Sequence, residues 1–344
     1  MTDSKVRLAG SAALVCLALA VGACGGGGGG GSGSAPAAPA VIDSGNAATI
    51  AREVFDAGLG AGAFGAAVGG GSILSADGGT NALALGLTRQ RKSIQRVQPD
   101  VTIPAETFDC LVSGTVRLSG SLSSQDTLSA GDRISADFDA CDDAEGTVLD
   151  GSLRIDVTAF SGDIFSDQFL LGASVTITNL TVSEGSESTT GSGVFDIDLD
   201  LTVPLVSDLT VSGPLLEVSS GSDSWVLRDF AVSVLEDGAG TDLLTRYSGT
   251  GTLEGADFDG AVDFVTVVPL VSTGDAYPGT GEVLISGANG ATIRATVVDT
   301  EAVQLAIDLD GNDVVDETRQ MAWSTVGPLG LAGYRASPRA VLPP

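Results

Sequence analysis

The chain has 344 residues, of which 44 are acidic and 16 are basic, and it contains no histidine. A net charge of −28 argues against a nucleic-acid partner, because phosphates would be repelled. The lack of histidine excludes Ser-His-Asp and Cys-His catalysis and most zinc sites. Hydrophobic residues make up 43% of the chain, so a sizeable core is expected despite the charge.

The first 24 residues have the layout of an export signal. Lys5 and Arg7 make the start positive, and the apolar segment 12–21 is too short to span a bilayer. Small residues then lead to a cysteine in the run Leu19-Ala20-Val21-Gly22-Ala23-Cys24. This run resembles the lipobox of bacterial lipoproteins.

The resemblance implies that residues 1–23 are a signal peptide and that Cys24 becomes an acylated first residue. Acylation of its sulfur and its amino group would attach the chain stably, since two or more acyl chains suffice for anchoring. Gly25 follows where lipoproteins of the inner membrane usually carry aspartate, so the resemblance favours the outer membrane. Which face of that membrane the protein occupies stays open.

Residues 24–45 are predicted to form a lipidated tether rich in glycine, serine, alanine and proline. Residues 46–109 are predicted to form a short helix, over Asn46–Ala57, and then an irregular connector. Ile50, Val54 and Phe55 share one side of that helix. The glycine-rich stretch 58–71 is expected either to pack on the rest of the protein or to lie on the bilayer, and packing is favoured.

Residues 110–326 alternate between apolar and polar side chains, most clearly over 195–203. Such alternation predicts a mainly β fold with a large antiparallel sheet of about 12 to 14 strands. The sheet is expected to form either a two-sheet sandwich or a curved, partly closed barrel. Residues 327–344 are a C-terminal tail. We expect recurring glycines to mark strand entrances or bulges, at Gly114, Gly151, Gly193, Gly260 and Gly281.

Cys110 and Cys141 are the two cysteines that remain after the signal peptide and the anchor. An even pair in an oxidising compartment predicts a structural disulfide, which closes a loop of about 32 residues.

A cluster of oxygen-bearing side chains lies near the end of the β region. Asp308, Asp310 and Asn312 are spaced by two, and Asp316 follows. The spacing resembles a fragment of an EF-hand or dockerin calcium loop. However, Gly311 is at the fourth position rather than the sixth, and Arg319 replaces the bidentate glutamate. A metal-free hairpin tip at Gly311-Asn312 is the favoured interpretation, and calcium is the alternative.

The body as a whole resembles envelope lipoproteins of Gram-negative bacteria, a resemblance that supplies no activity. We expect a non-enzymatic binding or structural protein with no cofactor other than the candidate calcium. A carrier of an apolar ligand needs a cavity lined by Phe195, Ile197, Leu199 and Leu201. An adhesin or scaffold needs a filled interior instead. A carboxylate-dependent hydrolase, the least favoured class, needs two acids about 5 to 9 Å apart in a cleft.

Overall fold

The structure is a computed structural model. It describes residues 37–66, 101–124, 127–142, 147–162, 168–184, 187–220, 223–239, 242–274 and 277–326. One helix, α1, spans Ala47–Ala66. The described residues form fourteen strands: β1 Val101–Asp109, β2 Ser113–Leu122, β3 Arg133–Asp142, β4 Thr147–Gly162, β5 Phe169–Glu184, β6 Glu187–Asp200, β7 Val206–Ser220, β8 Asp223–Asp237, β9 Leu244–Gly255, β10 Ala261–Thr273, β11 Thr280–Ser286, β12 Thr292–Val297, β13 Ala302–Asp308 and β14 Glu317–Ala322. Short 3₁₀ helices span Ala288–Gly290 and Trp323–Thr325.

All fourteen strands belong to one antiparallel sheet, and they are ordered in space as they are in the chain. The predicted mainly β fold with a large antiparallel sheet and a short N-terminal helix is therefore confirmed. Because each strand pairs with the next, successive turns alternate between two ends of the sheet. We name these ends by their turns: the proximal end holds the β9–β10 turn, and the distal end holds the β8–β9 turn.

The sheet begins at Val101, before the boundary at residue 110 that alternation predicted. Pro104 and the polar residues of β1 interrupt the alternation of apolar and polar side chains, so the sequence pattern does not reveal this strand. The alternating run 195–203 also ends early, because β6 stops at Asp200 and Val203 is exposed in the following turn. Both differences occur where a strand meets an edge or a turn, since burial no longer imposes the pattern there.

Helix α1 packs against β7, β8, β9 and β12. Its buried side chains form a single cluster with inward-facing residues from β2 to β14. A helix can contact β7 and β12 together only if the sheet curves around it. The sheet is consequently one curved layer with a filled inner face, and it is not closed at β1 and β14.

Two of the predicted bulge glycines show how the curvature is accommodated. Gly114 and Gly151 have φ angles of 77° and 105°, in the left-handed region. Each lies at a register shift, in the β2–β3 and β4–β5 pairs respectively. A Cβ atom on Gly151 would lie 2.2 Å from the carbonyl oxygen of Asn179. Glycine is therefore required at this bulge, as the sequence predicted.

Helix α1 continues beyond the predicted end at Ala57, through a glycine-rich segment. Small residues let the helix approach its neighbours closely: a Cβ atom on Gly58 would lie 3.0 Å from the hydroxyl of Tyr247. Ala61 is fully buried. The part of stretch 58–71 that the structure describes thus packs on the sheet, which was the favoured interpretation. No helix in the described part of the chain is long and apolar enough to cross a membrane.

The predicted disulfide is present between Cys110 and Cys141, whose Cα atoms are 5.5 Å apart. Cys110 directly follows the edge strand β1, and Cys141 lies in β3. The bond therefore ties the edge of the sheet to its third strand across β2. A disulfide stabilises a fold mainly by restricting the unfolded chain, and this one closes a loop between cysteines 31 residues apart.

Replacing both cysteines, as Cys110→Ser with Cys141→Ser, is expected to lower the free energy of unfolding by about 3–4 kcal/mol. Urea denaturation followed by circular dichroism measures the difference. The control is dithiothreitol, which should destabilise the wild-type protein by a similar amount and leave the double variant unchanged. Equal stability of the oxidised wild type and the double variant would contradict the prediction.

Candidate functional site

The loop between β13 and β14, residues 309–316, contains the predicted metal ligands. Asp308, the last residue of β13, is buried. Its carboxylate accepts hydrogen bonds from the backbone N–H groups of Gly311 at 2.8 Å and Asp313 at 2.7 Å. Burial acts to raise the pKa of Asp308, but these backbone hydrogen bonds outweigh it and lower the pKa below its usual range. Asp308 therefore holds the loop together as an anion.

The same loop brings three carboxylates together. One oxygen each from Asp308, Asp310 and Asp316 lies within 4.8 Å of the others. Calcium binds oxygens at 2.3–2.6 Å, so oxygens at this separation are close enough to share one ion. Yet Asp316 also accepts the N–H of Leu309, and Asn312 accepts the N–H of Val314. The loop thus satisfies its own backbone with these side chains.

The predicted hairpin tip is wider than a two-residue turn. β13 ends at Asp308 and β14 starts at Glu317, so residues 309–316 separate the two strands. Gly311 does adopt the expected left-handed backbone, with a φ of 71°. Arg319, which stands in place of the calcium-binding glutamate, pairs with Glu317 on β14.

The inner face accounts for the residues predicted to line a carrier cavity. Phe195, Ile197 and Leu199 are each 1% exposed and belong to the continuous core, and Leu201 packs against it. Trp323 is also fully buried, in edge-to-face contact with Phe55 at a centroid distance of 5.0 Å. Trp323 is therefore part of the core rather than of an exposed binding face.

A shallow groove of about 250 Å³ lies on the outer face of β8–β11. It holds two carboxylates, Asp229 and Asp263, and Asp263 accepts a hydrogen bond from Thr252 at 2.6 Å. Both aspartates are exposed. A glycosidase acid needs a buried or apolar setting to remain protonated near neutral pH. The groove therefore offers weak support for a hydrolase.

Sequence reasoning missed two glutamates removed from solvent, the half-buried Glu53 on α1 and the buried Glu236 on β8. Burial raises the pKa of Glu53 to about 7, with a further contribution from the nearby charge of Asp257. Burial alone raises the pKa of Glu236 to about 7. Glu236 stands at an apolar position of the alternating run Val232-Ser-Val-Leu-Glu236, and that position was the available signal.

Glu53 belongs to a polar contact between α1 and the proximal end. Its carboxylate accepts the N–H of Asp257 at 3.2 Å, and Arg52 pairs with the Asp257 carboxylate at 2.6 Å. A Cβ atom on Gly255 would lie 1.7 Å from a Glu53 oxygen, so glycine leaves the room that this carboxyl occupies. The contact holds α1 against the β9–β10 turn.

Cys24, the predicted lipidation site, and the tail 327–344 lie outside the described residues. A comparison with protein-family models, with curated proteins and with solved structures found no match for the chain.

Replacing the loop-capping aspartate, as Asp308→Ala, is expected to lower the melting temperature without any added metal. Three backbone N–H groups would lose their acceptor. The matched control Asp310→Ala should leave the melting temperature unchanged, because the exposed Asp310 carboxylate has no such role. Scanning calorimetry in the presence of a chelator measures both, and an unaltered Asp308→Ala variant would refute the capping role.

The calcium site itself remains a prediction, and the same variants test it. A rise in the wild-type melting temperature with millimolar calcium, lost in Asp310→Ala, would support it. The favoured metal-free hairpin predicts that calcium leaves the wild-type curve where it was.

Replacing the half-buried glutamate of α1, as Glu53→Gln, is expected to stabilise the protein at pH 8 by about 1–3 kcal/mol. The folded pKa of about 7 exceeds the ordinary value of 4.5, so the folded state binds the proton more tightly. Wild-type stability from this group therefore falls as pH rises from 4.5 to 7, and the glutamine variant escapes that loss. The difference should vanish at pH 4.5. Denaturation at both pH values checks this, with exposed Glu106→Gln as the control.

Proposed function

We propose that this chain is an outer-membrane lipoprotein, anchored through Cys24, whose β body is a non-enzymatic structural or binding module of the cell envelope. The supporting observation is how residues 37–45 join the sheet. They are the described end of the segment predicted to be a tether, but Ala40 and Ile42 are buried, so this part packs on the sheet instead of forming a free tether. Pro39 forms a parallel bridge with Ala261 at the start of β10. The N–H of Ala40 donates to the Ala261 carbonyl at 2.7 Å, and the N–H of Ala261 donates to Ala38 at 2.9 Å.

Further contacts strengthen that junction. The N–H of Ala288, before β12, donates to the carbonyl of Ala40 at 2.7 Å. The N–H of Ala37 donates to Glu254, which also forms a largely buried ion pair with Arg228 at 2.7 Å. The chain then enters the core as α1. A force applied through the anchor would thus act on paired strands and a buried helix.

The filled inner face supports a scaffold or adhesin more than a carrier. A carrier must leave room for its ligand among the inward-facing residues, whereas α1 and the side chains around Phe195 occupy that space. The acidic surface supports solubility rather than attachment to anionic lipid. Contact with the membrane is then made by the acyl chains at the end of the tether.

Metabolic labelling with radioactive palmitate tests the anchor. The wild-type protein should be labelled and recovered with the outer membrane, whereas Cys24→Ser should be unlabelled and released. Cys16→Ser is the matched control: it changes a cysteine of the signal peptide, and it should keep the label. Labelling that persists in Cys24→Ser would refute the proposal.

Organic extraction of the purified Cys24→Ser chain, followed by mass spectrometry, separates the scaffold from the carrier. A scaffold should release no stoichiometric apolar ligand. A lipid recovered at one per chain would instead establish the carrier.

A further inference from the structure

The inner face of the sheet carries an isolated polar row at the distal ends of β7–β10. Ser207 pairs with Glu236, Glu236 pairs with Thr245, and Thr245 pairs with Ser272, each directly across neighbouring strands. Side chains at directly paired positions have Cβ atoms about 4.5–5.5 Å apart. One carboxyl and three hydroxyl groups therefore stand side by side on a face that is mostly apolar.

This polar row borders the core. The next row inward is formed by the cross-strand partners Leu209, Val234, Tyr247 and Leu270. Its tyrosine hydroxyl is buried and has no hydrogen-bond partner within the described part of the chain. The polar groups are thus placed at the boundary between a closed apolar interior and the distal end.

Glu236 is 6% exposed, and its carboxyl makes no hydrogen bond or ion pair with any described residue. Buried carboxyls are normally paired, because an unpaired buried charge is costly. The charged side chains nearest along the strands are Asp208 on β7, Asp237 on β8 and Arg246 on β9, and by alternation all three face outward. Nothing described within the fold compensates the Glu236 charge.

The row beyond Glu236 forms the rim of the distal end, and it alternates leucine with glycine. The N–H of Gly238 donates to the carbonyl of Leu205 at 2.8 Å, and the N–H of Gly274 donates to Leu243 at 2.7 Å. Leu205 and Leu243 are 68% and 37% exposed. The two glycines leave gaps beside these leucines: a Cβ atom on Gly238 would meet only ordinary contacts, at 3.4 Å or more.

We propose that this polar row and its leucine rim bind a primary alkylammonium group, as a free amine or as a lysine side chain. The ammonium carries three N–H donors and one charge. Its charge pairs with the Glu236 carboxylate, and the hydroxyl groups of Ser207 and Thr245, which lie directly beside Glu236 on the neighbouring strands, accept hydrogen bonds. The alkyl stem lies between Leu205 and Leu243, over Gly238. Gly238 lies two residues beyond Glu236, just past the end of β8. At the rise of a strand this is about 7 Å, a length that suits a stem of four or five carbons.

Other ligand classes fit less well. Calcium takes six to eight oxygens, usually from several carboxylates, and this row has one. An alcohol of the same length would leave the carboxylate unpaired, and an anion would be repelled. The site goes beyond the proposed anchoring function and does not depend on it, so either one can fail without the other.

Isothermal titration with pentylamine tests the site, using the full chain with Cys24→Ser so that no acyl chain competes. Pentylamine should bind, and 1-pentanol should not. Glu236→Gln should weaken binding at least tenfold, whereas Glu217→Gln, an exposed glutamate on β7, should change nothing. Gly238→Val should weaken binding similarly by filling the gap at the rim, with the carboxyl intact.

The pH dependence supplies an independent measurement. Binding requires the ionised carboxylate, and burial raises the pKa of Glu236 to about 7. Affinity for pentylamine should therefore fall about tenfold from pH 8 to pH 6. Glu236→Gln should show no such dependence.

The source of the ammonium group is separated by ligand length. Affinity that rises from pentylamine to dodecylamine identifies a free amphiphilic amine. Acetyl-lysine methylamide that binds as well as pentylamine identifies a lysine side chain, and both results support the site. Equal affinity for 1-pentanol and pentylamine would overturn the proposal. So would an affinity for pentylamine that is unchanged in both the Glu236→Gln and the Gly238→Val variants.

Discussion

The burial of α1 against the concave face of the sheet is the constraint on which the rest of the structure depends. The sheet presents apolar side chains on its inner face from β2 to β14, and water must be excluded from all of them. Fourteen strands in one flat layer would leave that face uncovered. Curvature around a helix covers it, and α1 must be narrow enough to fit. Its alanines and glycines let it lie against Tyr247 and Trp225, at the cost of weak intrinsic helix propensity.

An open sheet also has two edges, and both carry features that oppose pairing with another chain. β1 contains Pro104, which lacks an N–H donor, and a register shift between Ile103 and Glu106. β14 has six residues and carries the Glu317–Arg319 ion pair. Prolines, bulges, charges and short strands at a sheet edge are established ways of preventing that edge from pairing with another chain. The Cys110–Cys141 disulfide adds a covalent restraint at the β1 edge, where pairing is otherwise one-sided.

Charge is distributed unevenly with respect to this architecture. Among the described residues, most acidic side chains lie on the solvated face or in turns, where aspartates also accept backbone N–H groups, as Asp308 does. Glu53 and Glu236 are exceptions, because Glu53 is half-buried, Glu236 is buried, and desolvation raises the pKa of each to about 7. Glu53 has partners in the β9–β10 turn, which explains its position. Glu236 has none among the described residues. The proposed ligand site therefore lies at the distal end rather than at the proximal end.

Fold class, the disulfide, the bulges at Gly114 and Gly151 and the start of α1 could all be predicted from the sequence, because each depends on local pattern or on chemistry that only one residue type supplies. Alternation specifies a strand with one buried face, and Gly114 and Gly151 are needed where the backbone is left-handed. The remaining features depend on packing between distant segments. The extension of α1 to Ala66 overrides the low propensity of its glycines, since packing provides the stability. The groups near Glu236 come from four strands, and their meeting depends on register, which distant pairings fix.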